Sequence, residues 1–534
     1  MLTGGAPVTC RGGAWRRRPI HCLDFAGVAP AHEGERTIRR RRRSGIAVAL
    51  TLAFSTVFAV DESGSRAPSQ DVLLLDNLGR TVRLPPESLP APLRPSADAD
   101  LKHQIPRPVP GAKMPAEVQQ RVERAREGAQ GLQFFPAAQP RLMPYLAYID
   151  ELGTTALSHG ALMPSEPWEA LVQDPKSRLA QYGLRYTLDQ TLNYASLSDV
   201  VSGSGDLGYY TFDLQAKWAV FDDARARTAG WLSTQIEAKA ALNNAARAQS
   251  AQTNIGSITN PSGTWSSVNG FRIPELAWQQ SLNDGEVVIV AGMVSMGNYL
   301  DANAYANTGR GQFLNSALID TMVVPLPGYN FSANVQWQPT SDWYGIFGGS
   351  VGTATSGKAP WDNYDPDNWY LLGEIGYAPD DFLGLGPGVY RVQPFVARTG
   401  GPVQGGLGFN FQQQLGRRSP FGWFGRFGFG GSAVTSGASA QIATGFVMNA
   451  PLEYAGLVPR LSNDLLGVGF VWSQPSATTK TVFHKNEYVL EIFYTLQLTP
   501  TIKLQPDLQL VWNPAFNPDP GPAVVFQLQL VAKW

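Results

Sequence analysis

Cysteine is nearly absent from this chain of 534 residues, which contains only Cys10 and Cys22. Both cysteines lie close to the amino terminus, so the rest of the chain cannot form a disulfide and must be stabilised by other interactions. Histidine is almost as scarce, and the wide spacing of His103, His159 and His484 is not that of a metal site. We therefore expect no disulfide framework, no metal ion and no other cofactor.

Charge is sparse as well, because only 16% of the residues are Asp, Glu, Lys or Arg. Residues 1–59 hold 10 of the 42 Lys and Arg residues and 3 of the 43 Asp and Glu residues. The remaining chain therefore has 32 basic and 40 acidic residues, and a formal charge of −8. Such an acidic chain, without basic clusters, is not typical of nucleic-acid binding, and we expect no nucleic acid as a partner.

Long apolar runs are missing beyond the amino-terminal region. No uncharged apolar stretch there approaches the roughly 18 to 20 residues that a membrane-spanning helix needs, and the mean hydropathy of the chain is −0.15. The sequence therefore excludes a bundle of membrane helices, although it leaves open a membrane protein built from strands.

The amino-terminal region has the pattern of an export signal. Five arginines, 39–43, precede the uncharged stretch SGIAVALTLAFSTVFAV, and acidic residues follow Ala59. A basic segment, an apolar segment and a small residue at the cleavage point are typical of a Sec-type signal peptide. We expect residues 1–59 to be this signal region, with the residues before about 36 a candidate for a misassigned translation start. A single membrane anchor is the alternative.

Proline and charge dominate residues 60–164, as in the stretch RLPPESLPAPLRPSADAD. This composition predicts an extended or disordered extension on the periplasmic side, with one short polar helix at 115–130. A second short helix is predicted over 165–182, because Ser165 is a suitable N-cap and Gly183 follows its end.

From residue 183 to 534, apolar and polar residues alternate in one long run after another, and turn-like segments such as SGSGD and DPDN separate the runs. A period of two over ten or more residues indicates β-strands. Sixteen strands are predicted, at 183–195, 209–221, 231–242, 271–280, 285–296, 329–337, 342–352, 369–378, 387–397, 404–416, 421–430, 438–448, 462–472, 485–498, 503–513 and 522–534.

The length of these runs distinguishes a membrane barrel from a soluble sandwich. Soluble strands cluster near five or six residues, whereas a tilted strand that crosses a bilayer needs about nine to eleven. Aromatic residues such as Trp218, Trp337 and Trp472 lie near the ends of the runs, as in the aromatic girdles at the two membrane interfaces. We therefore predict an all-β protein: a transmembrane antiparallel β-barrel of about 16 strands around an aqueous lumen, with a short helical or disordered amino-terminal extension.

The last predicted strand, PAVVFQLQLVAKW, ends on Trp534. Phe526 and Leu528 share one face, and Gln527 and Gln529 share the other. In a closed barrel this strand has to pair with the first strand, its apolar face meets lipid, and its glutamines face the lumen.

Two motifs that often signal enzymes are better explained as strand and loop. GGSVG (348–352) has the spacing of a nucleophile elbow around Ser350, but it lies inside an alternating run rather than at a strand-to-helix turn. GSGDLG (203–208) has the spacing of a dinucleotide-binding loop but joins two strands. We expect no enzymatic activity.

Four stretches resemble the carbohydrate-selective porins of Gram-negative outer membranes, the OprB-like family. They are 167–194, 272–307, 311–354 and, the most specific, YVLEIFYTLQLTPTIKLQPDLQLVWNP at 488–514. The resemblance implies passive, selective diffusion of mono- or oligosaccharides through a barrel embedded in outer-membrane lipid, as a monomer or a trimer. The terminal strand ending at Trp534 resembles the signal that barrel-assembly machinery recognises. A non-selective porin and a barrel that does not transport, such as an adhesin or a barrel enzyme, are the alternatives.

A sugar path needs side chains that exchange hydrogen bonds with hydroxyl groups. The polar residues with inward parity are Arg185, Asp189, Asp213, Lys217, Glu237, Lys239, Glu491, Asp507 and Gln509. Arg272 and Glu275 differ in parity, and Pro274 between them predicts a bulge. The loop at 298–316 offers Asn298, Tyr299, Asp301, Asn303, Tyr305 and Arg310, and we predict that it folds inward as a constriction. The alternative is that these side chains merely keep the lumen wet.

Overall fold

The computed structural model describes residues 72–75, 81–84 and 160–163, six positions between 168 and 179, and residues 182–534 apart from short gaps. The gaps are 224–225, 248, 266–269, 341, 417–418, 432–436, 460, 477–485 and 519–520. The predicted signal region and the predicted helix at 115–130 lie outside these residues. So does most of the extension at 60–164, where the described residues include a small antiparallel hairpin of Val72–Leu75 and Thr81–Leu84. Within 165–182, the described positions 171, 175, 176, 178 and 179 are helical, and the proposed domain boundaries stay a prediction.

Sixteen antiparallel strands form a closed barrel, as the sequence predicted. They are β1 Leu184–Leu197, β2 Asp206–Asp223, β3 Thr228–Ala241, β4 Gly270–Leu282, β5 Val287–Val294, β6 Asn330–Trp337, β7 Trp343–Val351, β8 Asn368–Tyr377, β9 Gly388–Thr399, β10 Gln404–Gln414, β11 Phe421–Gly430, β12 Ala438–Asn449, β13 Leu465–Pro475, β14 Glu487–Gln497, β15 Ile502–Trp512 and β16 Ala523–Lys533. Each strand pairs with its neighbours in the sequence, and β16 pairs with β1 from Val525–Leu197 to Lys533–Asp189. The predicted pairing of the last strand with the first is thus confirmed.

The alternation in the sequence becomes an inner and an outer wall. On β16, Phe526 and Leu528 are exposed on the outside, whereas Gln527 and Gln529 are fully buried on the inside. Because side chains alternate strictly between the two faces of a strand, this assignment holds along the whole barrel wherever the register is regular.

Long and short connections lie at opposite ends of the barrel. The loop end carries the β3–β4 loop (residues 242–269) and the β5–β6 loop (residues 295–329), while the turn end carries mostly short turns. The two loops contain short helices, α1 Ala251–Ile255 and α2 Ser316–Ile319, and two more, α3 Pro360–Asn363 and α4 Pro451–Tyr454, lie in other connections. Among the described residues, no helix has the length and apolar content that crossing a membrane requires.

A register shift interrupts the pairing of β3 with β4 at the predicted bulge. Gln235 pairs with Glu275 and Glu237 pairs with Arg272, so two residues of β4 lie opposite one residue of β3. Pro274 is one of these two residues of β4, and it lacks the N–H group that a regular ladder would require. The bulge therefore turns both Arg272 and Glu275 inward despite their different parity, as predicted.

The β5–β6 loop folds into the lumen and packs against β10–β14. The Phe313 ring lies edge-on to Phe493, with ring centroids 4.7 Å apart. Inward glycines make room for the loop: a Cβ on Gly422 would overlap the Tyr305 ring, and one on Gly469 would lie 2.7 Å from the Phe313 ring. This part of the lumen is a packed apolar core. A barrel of sixteen strands is wide enough for an aqueous lumen, and the sequence predicted one. The strand count does not show that a long loop fills part of that space.

The two enzyme-like motifs have the local structure that the sequence predicted. Ser350 lies within β7, where its hydroxyl accepts a hydrogen bond from Asn330 Nδ2 at 3.1 Å. The GSGDLG segment forms the connection between β1 and β2 and the first residues of β2.

Because the outer wall faces lipid, a charge placed on it should impair insertion into the membrane. Leu528 lies midway along β16 and is 41% exposed, so we expect Leu528→Arg to impair membrane insertion by about 2 to 4 kcal/mol. The fraction of folded barrel in lipid vesicles, measured against urea concentration, checks this. Leu383→Arg is the matched control, since Leu383 lies in a turn and is 84% exposed. Equal losses for the two variants would contradict the assignment of the lipid face.

Candidate solute passage

Three carboxylates lie side by side on the inner wall of β1–β3. In the strand register, Asp189 pairs with Asp213, and Asp213 pairs with Glu237. Like charges in directly opposite positions destabilise a sheet unless cations compensate them. The row continues to Arg272 on β4, which pairs with Glu237.

Cations from the wall and from the β5–β6 loop compensate this acidic row. Glu237 forms ion pairs with Arg272, Nε to Oε2 at 2.5 Å, and with Lys239, Nζ to Oε1 at 3.3 Å. Arg310, which belongs to the loop, places Nη1 3.3 Å from Oδ2 of Asp213. We call these five residues, Asp213, Glu237, Lys239, Arg272 and Arg310, the passage cluster.

Two members of the passage cluster keep some contact with solvent. The Glu237 side chain is 13% exposed and that of Arg310 is 12% exposed. Inward polar residues on β14–β16, such as Gln509 and Gln527, have no exposure. The passage cluster lies between β1–β4 and the β5–β6 loop, where partial burial strengthens each charge–dipole interaction.

Further polar groups extend the passage cluster along the same strands. Arg185 and Lys217 are cross-strand partners nearer the turn end, and Lys217 Nζ lies 4.0 Å from the centroid of the Trp231 ring. The buried hydroxyl groups of Thr187 and Thr191 have no hydrogen-bond partner among the described residues. They lie on either side of Asp189 on the inner face of β1, so the row of charged residues has hydroxyl groups as neighbours in both directions along the strand.

A second group of predicted residues lies against the inward loops instead. Its members are Glu275, Asp301, Asn303, Glu491, Asp507 and Gln509, all of them buried. Glu275 is typical: its carboxylate accepts hydrogen bonds from Ser233 Oγ at 2.8 Å, Asn298 Nδ2 at 3.0 Å and Tyr299 Oη at 2.8 Å. Burial raises the pKa of the Tyr299 phenol well above its usual value, so this group stays a donor.

Asp301, in the β5–β6 loop, bonds this loop to strands β8 and β11. Its carboxylate pairs with Arg426 on β11, Nε to Oδ2 at 2.9 Å, and its backbone N–H donates to Glu374 on β8 at 2.8 Å. Asn303 continues the contact by donating from Nδ2 to Asn410 Oδ1 at 2.8 Å. The loop is thus attached to several strands by groups that have little exposure.

Glu491, Asp507 and Gln509 form a neighbouring contact on β14 and β15. Glu491 accepts hydrogen bonds from the backbone amides of two loop residues, and Gln509 accepts one from Asn315 Nδ2 at 3.1 Å. Gln509 also donates to Asp507 Oδ1 at 2.9 Å. These residues lie on the inner faces of their strands, but the loop separates them from the passage cluster.

Several residues of the site were not singled out from the sequence. They are Glu374, Arg391, Arg426, Glu487 and Ser356. Arg391 pairs with Glu374, Nε to Oε1 at 3.6 Å. Arg426 is the one charged residue in FGWFGRFGFG, and inward parity on an aromatic strand was a signal that could have identified it. Ser356 accepts a hydrogen bond from Arg272 Nη1 at 2.6 Å across a separation of 84 residues, which no local pattern reveals. Among the described residues, no group of three acidic, histidine or cysteine side chains could hold a metal ion.

Comparison with protein families gives a match over most of the barrel. A family model described as "Carbohydrate-selective porin, OprB family" matches residues 210–399 and 403–533. The matched segments amount to more than half of the chain and extend from β2 to β16.

Individual relatives are more distant. Porin AaxA of Chlamydia abortus is 28% identical over 296 residues, which are 53% of this chain and 61% of that protein. Porin AaxA of Chlamydia caviae is 29% identical over 255 residues, which are 44% of this chain and 52% of the relative. The chain thus spans less than two thirds of the length of these curated relatives.

A solved structure has the same fold. The high-pH structure of Pseudomonas putida OprB matches with a TM-score of 0.55 at 15% sequence identity. The match covers 67% of this chain and 96% of that chain.

The buried and exposed ion pairs of the barrel predict different mutational costs. Arg426→Met leaves Asp301 buried without its cation, so we expect the free energy of unfolding to fall by about 3 to 5 kcal/mol. Arg398→Met is the matched control, because the Arg398–Asp367 pair is 41% and 65% exposed and should contribute at most about 1 kcal/mol. Urea unfolding in detergent micelles, followed by tryptophan fluorescence, measures both. Similar costs for the two variants would contradict this account of how the loop is held.

Proposed function

This chain belongs to the OprB family of carbohydrate-selective porins, and we propose that it is an outer-membrane porin whose selected solutes are carbohydrates. Mono- or oligosaccharides would cross the outer membrane by passive diffusion, with no chemical step and no cofactor. The residues proposed to contact the solute are those of the passage cluster, together with Arg185 and Lys217.

The main support for this proposal is the balance of positive and negative charge in the passage cluster. With the adjacent Asp189, three carboxylates meet three cations within one layer of the wall and the loop facing it. Such a site presents strong donors and acceptors but little net charge, so it does not attract small ions of either sign. A neutral solute with many hydroxyl groups can exchange hydrogen bonds with these groups one after another.

Passage also requires that the solute leave readily. Each member of the passage cluster already has a partner within the protein, so a sugar hydroxyl replaces an existing interaction rather than satisfying an empty one. The net gain for each exchanged hydrogen bond is therefore small, about 0.5 to 1.5 kcal/mol. Weak, sequential contacts of this kind permit conduction.

Direct transport measurements test the proposal. In planar bilayers, the purified protein should form channels whose current is interrupted by added sugars. Liposome swelling should be faster with a monosaccharide than with an amino acid of equal size. Equal swelling rates would instead indicate a non-selective porin, and no conductance at all would indicate a barrel that does not transport.

Alanine variants connect the solute preference to named residues. In Glu237→Ala, Arg272 and Lys239 lose their shared carboxylate, and in Arg272→Ala a donor is lost from the passage. We expect each change to alter the affinity of sugar block by about 2- to 10-fold while leaving folding intact, since lumen positions tolerate substitution. Glu453→Ala is the control, because Glu453 is exposed on α4 at the turn end. Unchanged sugar block in both passage variants would count against the assignment.

A further inference from the structure

Strand β14 carries two inward glutamates, four residues apart, that contact two different loops. Glu487 lies at the start of the strand and Glu491 lies four residues further along the same face, and both are fully buried. Among the described ion pairs, neither glutamate has a cationic partner. A buried carboxylate without a cation is costly, so the hydrogen bonds that it receives must carry its stabilisation.

Glu487 holds the β3–β4 loop. Its carboxylate accepts hydrogen bonds from Ser257 Oγ at 2.6 Å, from the Ile258 amide at 2.8 Å, and from both the amide and the hydroxyl of Thr259, at 3.1 and 2.8 Å. The amide of Ala515, in the β15–β16 connection, donates a fifth at 3.0 Å. Five donors saturate the acceptor capacity of one carboxylate, as in an anion bound by a loop.

Glu491 holds the β5–β6 loop in the same way. The backbone amides of Leu314 and Asn315 donate to its two oxygens at 2.5 and 2.9 Å. These residues directly precede α2, and Asn315 is the N-cap of that helix. The contact therefore fixes the loop at a defined point rather than over a diffuse surface.

The two loops are also joined to each other beside the glutamates. The Ser316 amide donates to the Asn260 carbonyl at 2.8 Å, and the Asn260 amide donates to Ser316 Oγ at 2.9 Å. The Gly263 amide donates to the Leu314 carbonyl at 2.7 Å. The segments held by Glu487 and Glu491 thus form one continuous body inside the barrel.

This body reaches the passage through Arg310. Arg310 lies four residues before Leu314 in the same loop, and its guanidinium pairs with Asp213 on the opposite wall. The Gly309 and Gly311 carbonyls on either side of Arg310 also accept hydrogen bonds, from Gln529 Nε2 at 2.9 Å and Thr495 Oγ1 at 3.1 Å. The position of Arg310 therefore depends on these contacts together with those at Leu314.

We propose that Glu487 and Glu491 are positioning residues that set the width of the passage, and hence the largest sugar it admits, by holding both inward loops against β14. This inference rests on the proposed function, because it concerns the size selectivity of that same passage. Neither glutamate touches the solute, and both act through Arg310 and the loops.

Glutamine variants test the proposal with little change of shape. Glu487→Gln, Glu491→Gln and the double variant keep one acceptor oxygen but replace the other with an N–H₂ group, which cannot accept the hydrogen bonds from the loops. The control is Glu453→Gln, which makes the same chemical change on the exposed helix α4. Liposome swelling is measured with neutral sugars from monosaccharide to tetrasaccharide, and circular dichroism and resistance to detergent denaturation report the barrel itself.

The expected result is a change in size dependence rather than in barrel content. In the double variant, the swelling rate with a trisaccharide, relative to that with a monosaccharide, should rise about tenfold, which corresponds to the loss of one strong hydrogen bond per loop. Each single variant should show part of this rise, and Glu453→Gln none. A folded double variant with unchanged size dependence would overturn the proposal.

Hydrogen exchange of backbone amides gives a second readout that does not depend on transport. The amides of Leu314 and Asn315 donate to Glu491, so their exchange should be faster in the folded Glu491→Gln variant, and that of the Ile258 and Thr259 amides should be faster in Glu487→Gln. Unchanged exchange at these amides would also overturn the proposal. If the wild-type protein passes no sugar, the proposed function fails, whereas the exchange experiment still decides whether the two glutamates hold the loops. If the double variant does not insert, the single variants decide both readouts.

Discussion

Closure of the sheet is the constraint on which the rest of this structure depends. A strand in lipid cannot leave its backbone N–H and C=O groups unpaired, so the sixteenth strand has to meet the first. Pairing from Val525–Leu197 to Lys533–Asp189 satisfies that requirement. Once the barrel is closed, every second side chain of each strand points into the lumen, because side chains alternate between the two faces of a strand. The membrane does not constrain the polarity of these inward side chains. For this reason the side chains of the outer wall are mostly apolar, whereas those of the inner wall can differ from one region to another.

The inner wall has two regions with different kinds of side-chain contact. Along β1–β4, carboxylates and cations pair with one another and keep some contact with solvent, as at Glu237 with Arg272 and Lys239. Along β8–β15, charged and amide side chains instead hydrogen-bond to loop backbone, and inward glycines such as Gly422 leave space for loop side chains. An ion pair between Asp301 and Arg426 sits within the second region because full burial without a partner would be too costly. The result is a row of paired charges along one side of the barrel and a packed interior along the other.

Much of the fold could be predicted from alternation, run length and turn residues, since these report local geometry. All sixteen strands, the pairing of β16 with β1 and the bulge at Pro274 follow from them. The candidate site was predicted less completely. Parity alone placed Glu237 and Glu491 together as inward residues, although the first pairs with Arg272 on the wall and the second hydrogen-bonds to the β5–β6 loop. Parity gives the direction of a side chain but not its distance from the next wall, so it could not separate the two roles.

The sequence by itself determined that the chain forms a barrel, which residues face lipid, and which polar residues face inward, because a period of two is a property of each strand alone. Only the tertiary structure decided where the two long loops settle, which inward residues they cover, and that Arg310 meets Asp213 across the lumen. Those outcomes depend on contacts between residues far apart in the chain, such as Thr259 with Glu487. Their free energies arise from the fit of donors, acceptors and apolar volumes in space, which no local pattern encodes.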